Sequence, residues 1–157
     1  MFLSLKIVLS SIITVGLLGL IVVGAFIINP ILFLESEDII VSNSLYLSAP
    51  QDNILINDVS IIGNKLVING SYGGGCEEHI FRLIASDTWL ESYPVQTPLL
   101  FSHEANDDMC TAFFTKLFVF NLSPLKERYK ELYRENSATI RLRIEGGNEL
   151  VEISYSY

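Results

Sequence analysis

The chain opens on an apolar block and then changes rhythm. Across residues 7–28 no side chain is charged, and Ser10, Ser11 and Thr14 are the polar ones. Twenty-two helical residues rising about 1.5 Å each cover roughly 33 Å, which matches the roughly 30 Å hydrocarbon core of a bilayer. In lipid, backbone N–H and C=O groups must satisfy one another, so this block predicts a single transmembrane helix over 7–29. Asn29-Pro30 supplies its exit, because a residue before proline disfavours the α region. A cleaved signal peptide is the competing reading, with Val23 and Ala25 as small cleavage-site residues. Its apolar core is usually about 7–15 residues long, however, and residues 26–28 and 31–34 carry the apolar run further. No cysteine follows that run closely, which argues against a lipid-modified cysteine.

Beyond residue 53 the period shortens to that of strands. Residues 59–62 and 65–69 flank Gly63-Asn64, a two-residue link suited to a tight hairpin. His79, Phe81, Leu83 and Ala85 fall on one face of a strand over 79–86, and Leu99, Phe101 and His103 on one face of a strand over 97–103. Residues 111–121 are apolar on both faces, which predicts a central strand. Ile140, Leu142 and Ile144 alternate with charged residues, Gly146-Gly147-Asn148 turns the chain, and Val151, Ile153, Tyr155 and Tyr157 alternate again, as in a hairpin with one wet face. One short helix interrupts the strands. Ser123 is its expected cap, Pro124 suits its first position, and Leu125, Tyr129 and Leu132 form its apolar stripe. The charged residues between them read as a solvated face. Short strands with frequent turns predict a mostly β domain, an antiparallel, Ig-like β-sandwich, preceded by the single helix. The expected organisation is a cytoplasmic end at 1–6, an anchor at 7–29, a Ser-, Asn- and Asp-rich tether at 30–53 and an extracytoplasmic domain at 54–157.

Charge gives the anchor a direction. Lys6 precedes it, Glu35, Glu37 and Asp38 follow it, and the next basic residue is Lys65. The positive-inside rule then places the N-terminus in the cytoplasm and the domain outside, in a single-pass cell-membrane protein. With Lys6 set aside, the rest of the chain carries 18 acidic and 9 basic residues, a net charge of −9. That excludes nucleic acid as an expected partner and disfavours an anionic lipid surface. The expected partners are membrane lipid along 7–29 and an unidentified envelope protein.

The candidate chemistry is concentrated in one set. Cys76 and Cys110 are the only cysteines, and an oxidising compartment favours a disulfide between them. A closed loop of about 34 residues stabilises by roughly 3–4 kcal/mol in the chain-entropy model. If the strands at 79–86, 97–103 and 111–121 are antiparallel neighbours, Cys76, His79, His103 and Cys110 converge on one sheet edge. That convergence leaves two alternatives open, with zinc or another divalent cation as the cofactor. One is a tetrahedral zinc site made from the two cysteines and two histidines, although the His-x6-Cys spacing is not that of a zinc finger. The other keeps the disulfide and holds the cation with His79, His103, Glu104, Asp107 and Asp108, although that loop lacks the spacing of an EF-hand. The bland alternative is a solvated acidic turn beside two histidines that end apolar strand faces. With the disulfide formed, no cofactor is expected.

No catalytic residue is expected. Ser102 and His103 are adjacent, so they point to opposite faces of a strand and cannot act as nucleophile and base. There is no G-x-S-x-G elbow, and Gly73-Gly74-Gly75 lacks the Lys-Ser/Thr of a phosphate loop.

Gly-Gly-Gly-Cys-x-x-His-x-Phe-x-Leu at 73–83, Ser102-His103 with Asp107 and Cys110, and Phe120-Asn121-Leu122-Ser123-Pro124-Leu125 together resemble the signature of a family of small exported bacterial proteins. Its members are often lipoproteins or signal-peptide proteins with no assigned biochemistry. The resemblance covers roughly 55–157 and departs at Glu104 and Asn121, where aspartate is usual. It implies that Cys76, His79, His103 and Cys110 belong together, and it names no substrate.

Overall fold

The computed structural model describes residues 21–23, 26–28, 35–147 and 149–157. Within 7–29 the described residues form strands β1 (Ile21–Val23) and β2 (Phe26–Ile28), paired antiparallel with Ile21 opposite Ile28. This corrects the expected helix over the described part of the segment; the rest of that expectation lies outside the described residues. Ile and Val are stiff at χ1 and favour extended backbone, and they make up most of these two strands. Among the described residues, no helix is long and apolar enough to cross a membrane.

Ser36–Tyr157 forms a separate compact unit. It begins well before residue 54, so much of the expected tether is part of the fold. Strands β3 (Glu37–Asp38) and β4 (Ile40–Val41) and helix α1 (Asn43–Ser48) lie there. Ile39 and Ile54 are the apolar residues that recruit this segment, at 3% and 1% exposure. The Ser42 hydroxyl caps α1 by accepting from the Leu45 N–H.

The remaining elements are β5 (Leu55–Ile62), β6 (Lys65–Gly74), β7 (Ile80–Ala85), β8 (Val95–Glu104), β9 (Ala112–Asn121), α2 (Ser123–Tyr133), β10 (Thr139–Gly146) and β11 (Glu149–Ser156). They build two sheets, one in the order β11-β10-β8-β7-β4 and the other β3-β9-β6-β5. The expected hairpins form at β5–β6, through Gly63 at φ 60°, and at β10–β11. Both sheets are mixed rather than antiparallel: β8 runs parallel to β10, β4 to β7 and β3 to β9. For β8 and β10 the reason is the route of the chain. It leaves β8 for the opposite sheet as β9 and returns through α2 to β10. For the same reason β7, β8 and β9 are not three neighbours: β7 pairs with β8, and β9 pairs with β6. Nor is β9 central along its length. β3 joins it only at Phe120 and Asn121, and Phe113 and Leu117 stand exposed.

Between the sheets, Leu83, Leu99, Phe101, Leu142 and Ile144 meet Leu66, Ile68, Phe118 and Phe120 in one buried core. Helix α2 buries Leu125 and Tyr129, while Leu132 remains 44% exposed. Its start is capped differently from the expectation: the Asn121 carboxamide oxygen accepts from the Ser123 N–H and hydroxyl, so Ser123 is already in the first turn.

Thr97 and Leu99 sit on the same strand, both fully buried. The Thr97 hydroxyl has no hydrogen-bond partner among the described residues. Leu99→Ala is expected to cost about 2–5 kcal/mol of unfolding free energy. Thr97→Val, which removes an unpaired buried hydroxyl at nearly constant volume, is expected to be neutral or to stabilise by about 1 kcal/mol. Urea denaturation of both variants checks the pair of outcomes.

Candidate functional site

Two connections pass between the sheets side by side at one end of the sandwich. The first, residues 75–79, leads from β6 to β7; the second, residues 105–111, leads from β8 to β9. Cys76 on the first and Cys110 on the second form a disulfide with Cα atoms 5.9 Å apart. The expected convergence of the cysteines and histidines therefore occurs where the chain crosses between sheets, not along one sheet edge.

A carboxylate organises this crossing. Asp108 Oδ2 accepts the N–H groups of Gly75, Cys76 and Glu77 at 2.7, 2.8 and 3.0 Å. Asp108 Oδ1 accepts the Cys110 N–H at 2.8 Å. The side chain is fully shielded from solvent. Each N–H stabilises the ionised form, so the Glu77, Cys110 and Cys76 amides hold this carboxyl well below the usual aspartate range, against the opposing effect of burial. Asp108 precedes Cys110 by two residues, an Asx-type local pairing. Asn106 and Asp107 turn the chain before it with φ of 52° and 58°, a region that Asn and Asp tolerate.

The histidines continue from the same carboxylate. His79 Nε2 lies 3.1 Å from Asp108 Oδ2, and His79 Nδ1 lies 2.8 Å from His103 Nε2. His103 Nδ1 reaches the Asn53 carbonyl at 3.1 Å. The histidine rings stack with centroids 5.0 Å apart, Phe81 stacks on His103 at 4.7 Å, and Tyr72 touches both histidines. Burial lowers the His103 pKa, opposed mainly by its bond to Asn53.

Glycine makes the space. A Cβ on Gly74, whose φ is 140°, would run into His79 Nε2 and lie 2.8 Å from Asp108 Oδ2. Gly73 has far more room, its nearest neighbour being the Ala112 carbonyl at 3.8 Å.

The other sequence candidates are elsewhere. Glu104 pairs with Arg82 at 3.5 Å, across β8 and β7 and away from the histidines. Asp107 is exposed and lines an open cleft of about 330 Å³ together with Asp52, Asn53, His103, Met109 and Cys110. Both sulfurs are spent on the disulfide. All four ring nitrogens are hydrogen-bonded, so a cation between the histidines would have to displace the bond that joins them. The Ser102 hydroxyl donates to the Pro50 carbonyl at 2.7 Å, away from both rings. Two contributors had no signal in the sequence. Asn53 acts through its carbonyl alone, and Asp52 binds the Ala105 N–H at 2.7 Å from a segment that reads as tether.

Fold and site together define a mixed β-sandwich in which the β6–β7 and β8–β9 crossovers are stapled to each other by a disulfide and a carboxylate. No protein-family model and no curated protein matches the chain. Solved bacterial structures do match its fold. A NigD-like immunity protein from Bacteroides caccae superimposes with a TM-score of 0.56 at 11% identity, over 78% of this chain and 64% of that one. A protein of unknown function from Bacteroides vulgatus gives 0.51 at 13%, over 78% and 56%. A protein described as toxin related from Parabacteroides distasonis gives 0.50 at 22%, over 76% and 61%. The chain thus spans about three fifths of the length of these structures, and what it shares with them is the fold.

Two predictions follow from this geometry. Gly74→Ala is expected to destabilise by roughly 1–3 kcal/mol and to speed reduction of the disulfide, whereas Gly73→Ala stays near wild type. Urea midpoints and dithiothreitol reduction rates decide it. Acidification is expected to destabilise in two stages. His103 is neutral in the fold with a lowered pKa, so its contribution is present above about pH 6.5 and is lost as pH falls towards the folded value. Asp108, also lowered, contributes above its ordinary value of 3.8 and is lost only under strong acid. The urea midpoint should fall from about pH 7 to about pH 5 through His103 and again below about pH 3.8 through Asp108; a profile flat down to about pH 2 contradicts the assignment.

Proposed function

We propose that the chain is an envelope protein held by its apolar segment at 7–29, with the Ser36–Tyr157 unit outside the cytoplasm as a binding module that lacks catalytic activity. The observation that carries this is the Cys76–Cys110 disulfide, because such bonds persist in oxidising compartments and are rare in the cytosol. Further support comes from the uncharged 22-residue run with Lys6 before it and Glu35, Glu37 and Asp38 after it. Binding in place of turnover fits the site, where the histidines face each other and the neighbouring serine hydroxyl is tied to the backbone. The open acidic cleft beside the disulfide is the surface offered to a partner. It is contiguous with Met109, which is 90% exposed.

The test is fractionation of cells expressing the whole chain, combined with thiol labelling before and after reduction. Recovery in the membrane fraction after an alkaline wash, with both thiols blocked until reductant is added, is the expected result. Recovery in the soluble cytoplasmic fraction with two reactive thiols would overturn the proposal.

A further inference from the structure

The two histidines lie between groups that can only accept. At one end is the Asp108 carboxylate, kept ionised by the backbone N–H groups it collects. At the other is the Asn53 carbonyl. Three hydrogen bonds join these ends: His103 Nδ1 to Asn53 O at 3.1 Å, His79 Nδ1 to His103 Nε2 at 2.8 Å, and His79 Nε2 to Asp108 Oδ2 at 3.1 Å. Each bond needs one proton, and neither end group can supply one. The rings must therefore hold three protons on four nitrogens, whereas two neutral imidazoles hold only two.

We infer that the His79–His103 pair carries one extra proton in the folded protein and acts as a buried proton latch on the crossover corner. The bonds to the two acceptors locate that proton. His103 donates through Nδ1 and accepts through Nε2, as a neutral ring does. His79 donates from both nitrogens and is the imidazolium, paired with Asp108 across surfaces that water scarcely reaches, at 5% and 0% side-chain exposure. The groups packed around the pair agree with this placement. Tyr72 from β6 and Phe81 from β7 present rings. Lys116 from β9 lies 5.7 Å over the far ring, Phe81, and not on the histidines. Asp52 lies beside His103 and binds the Ala105 N–H, Asp107 faces the cleft, and Glu104 and Arg82 pair with each other across the strands. The anionic partner nearest to the pair is Asp108.

Removing the extra proton leaves two protons for three contacts. Whichever tautomers form, one contact then sets lone pair against lone pair. Shifting the deficit to Asp108 sets the bare His79 Nε2 against the same oxygen that the 75–77 amides share, and weakens the corner there. Shifting it to Asn53 releases the segment that lines the cleft. Either way the corner loosens when the proton leaves, so access to the cleft is tied to pH on the alkaline side.

The chain has only two histidines, so long-range ¹H–¹⁵N correlation of the labelled whole chain shows just their four ring nitrogens. At about pH 7 we expect three protonated nitrogens and one unprotonated. Two unprotonated nitrogens would overturn the inference outright. As pH is raised from about 7 to about 9.5, amide exchange at Gly75, Cys76 and Glu77 should accelerate beyond the tenfold per pH unit of base catalysis, at the pH where the second nitrogen deprotonates. Exchange that follows base catalysis alone overturns the latch. His79→Gln, which can donate to Asp108 without titrating, should lose the excess acceleration. If that variant fails to fold, the wild-type proton count and exchange profile decide by themselves.

Discussion

One carboxylate gathers two connections that a disulfide and the Asn106–Glu78 hydrogen bond also join. The 75–79 and 105–111 segments belong to different crossovers, each carrying the chain from one sheet to the other, and neither is paired in a ladder over its length. Asp108 collects backbone N–H groups from both and presents its remaining capacity to His79. A buried anion needs such compensation, since an ionised carboxylate removed from water without partners is far too costly to keep. The disulfide is the covalent counterpart of the same junction. Its two half-cystines donate their own N–H groups to opposite oxygens of that carboxylate, so the sulfurs are aligned by the ionic part before the covalent part is counted.

This arrangement explains the glycine run and the aromatic lining. Gly74 and Gly75 take φ of 140° and 118°, conformations that side chains rarely adopt. That backbone aims successive N–H groups at one oxygen. Tyr72 and Phe81 close the histidines off from solvent, and the low polarity they create strengthens each hydrogen bond inside. The site is therefore built from three layers of sequence: glycines for backbone direction, Asp108 for charge, and aromatic rings for dielectric.

Much of the fold was legible where one face is dry and the other wet. The β10–β11 hairpin alternates cleanly over Ile140, Leu142 and Ile144 and is seen as expected, and α2 announces itself through Pro124 and its Leu125–Tyr129 spacing. Strand order was not legible, because periodicity says which way side chains face and nothing about which strand lies alongside. The parallel β8–β10 pairing arises from the excursion through β9, a property of the whole path. Residues 36–53 read as tether because only isolated apolar residues, Ile39 foremost, carry their burial. The cysteines and histidines were expected to converge, and Asp108 was one of three acids, with Glu104 and Asp107, in the alternative cation set. Asp108's role as a backbone collector was not anticipated, and Asn53, which contributes a carbonyl any residue could offer, could not have been.

The strand that returns from the crossover has a separate consequence. Among the described residues, β9 is joined by β6 along its whole length on one flank but by β3 only at Phe120 and Asn121 on the other. Its outward row includes Phe113 at 65% exposure. An aromatic-rich, largely unpaired edge of this kind is a template for unwanted strand addition. Lys116 sits in the middle of it, with its ammonium drawn over the rings of Phe81 and Phe118. It is the single charge in the segment from Thr111 to Asn121, and such a charge makes stacking of identical copies costly. Lys116 thus stands as the guard of this edge against pairing with a second copy of the same strand.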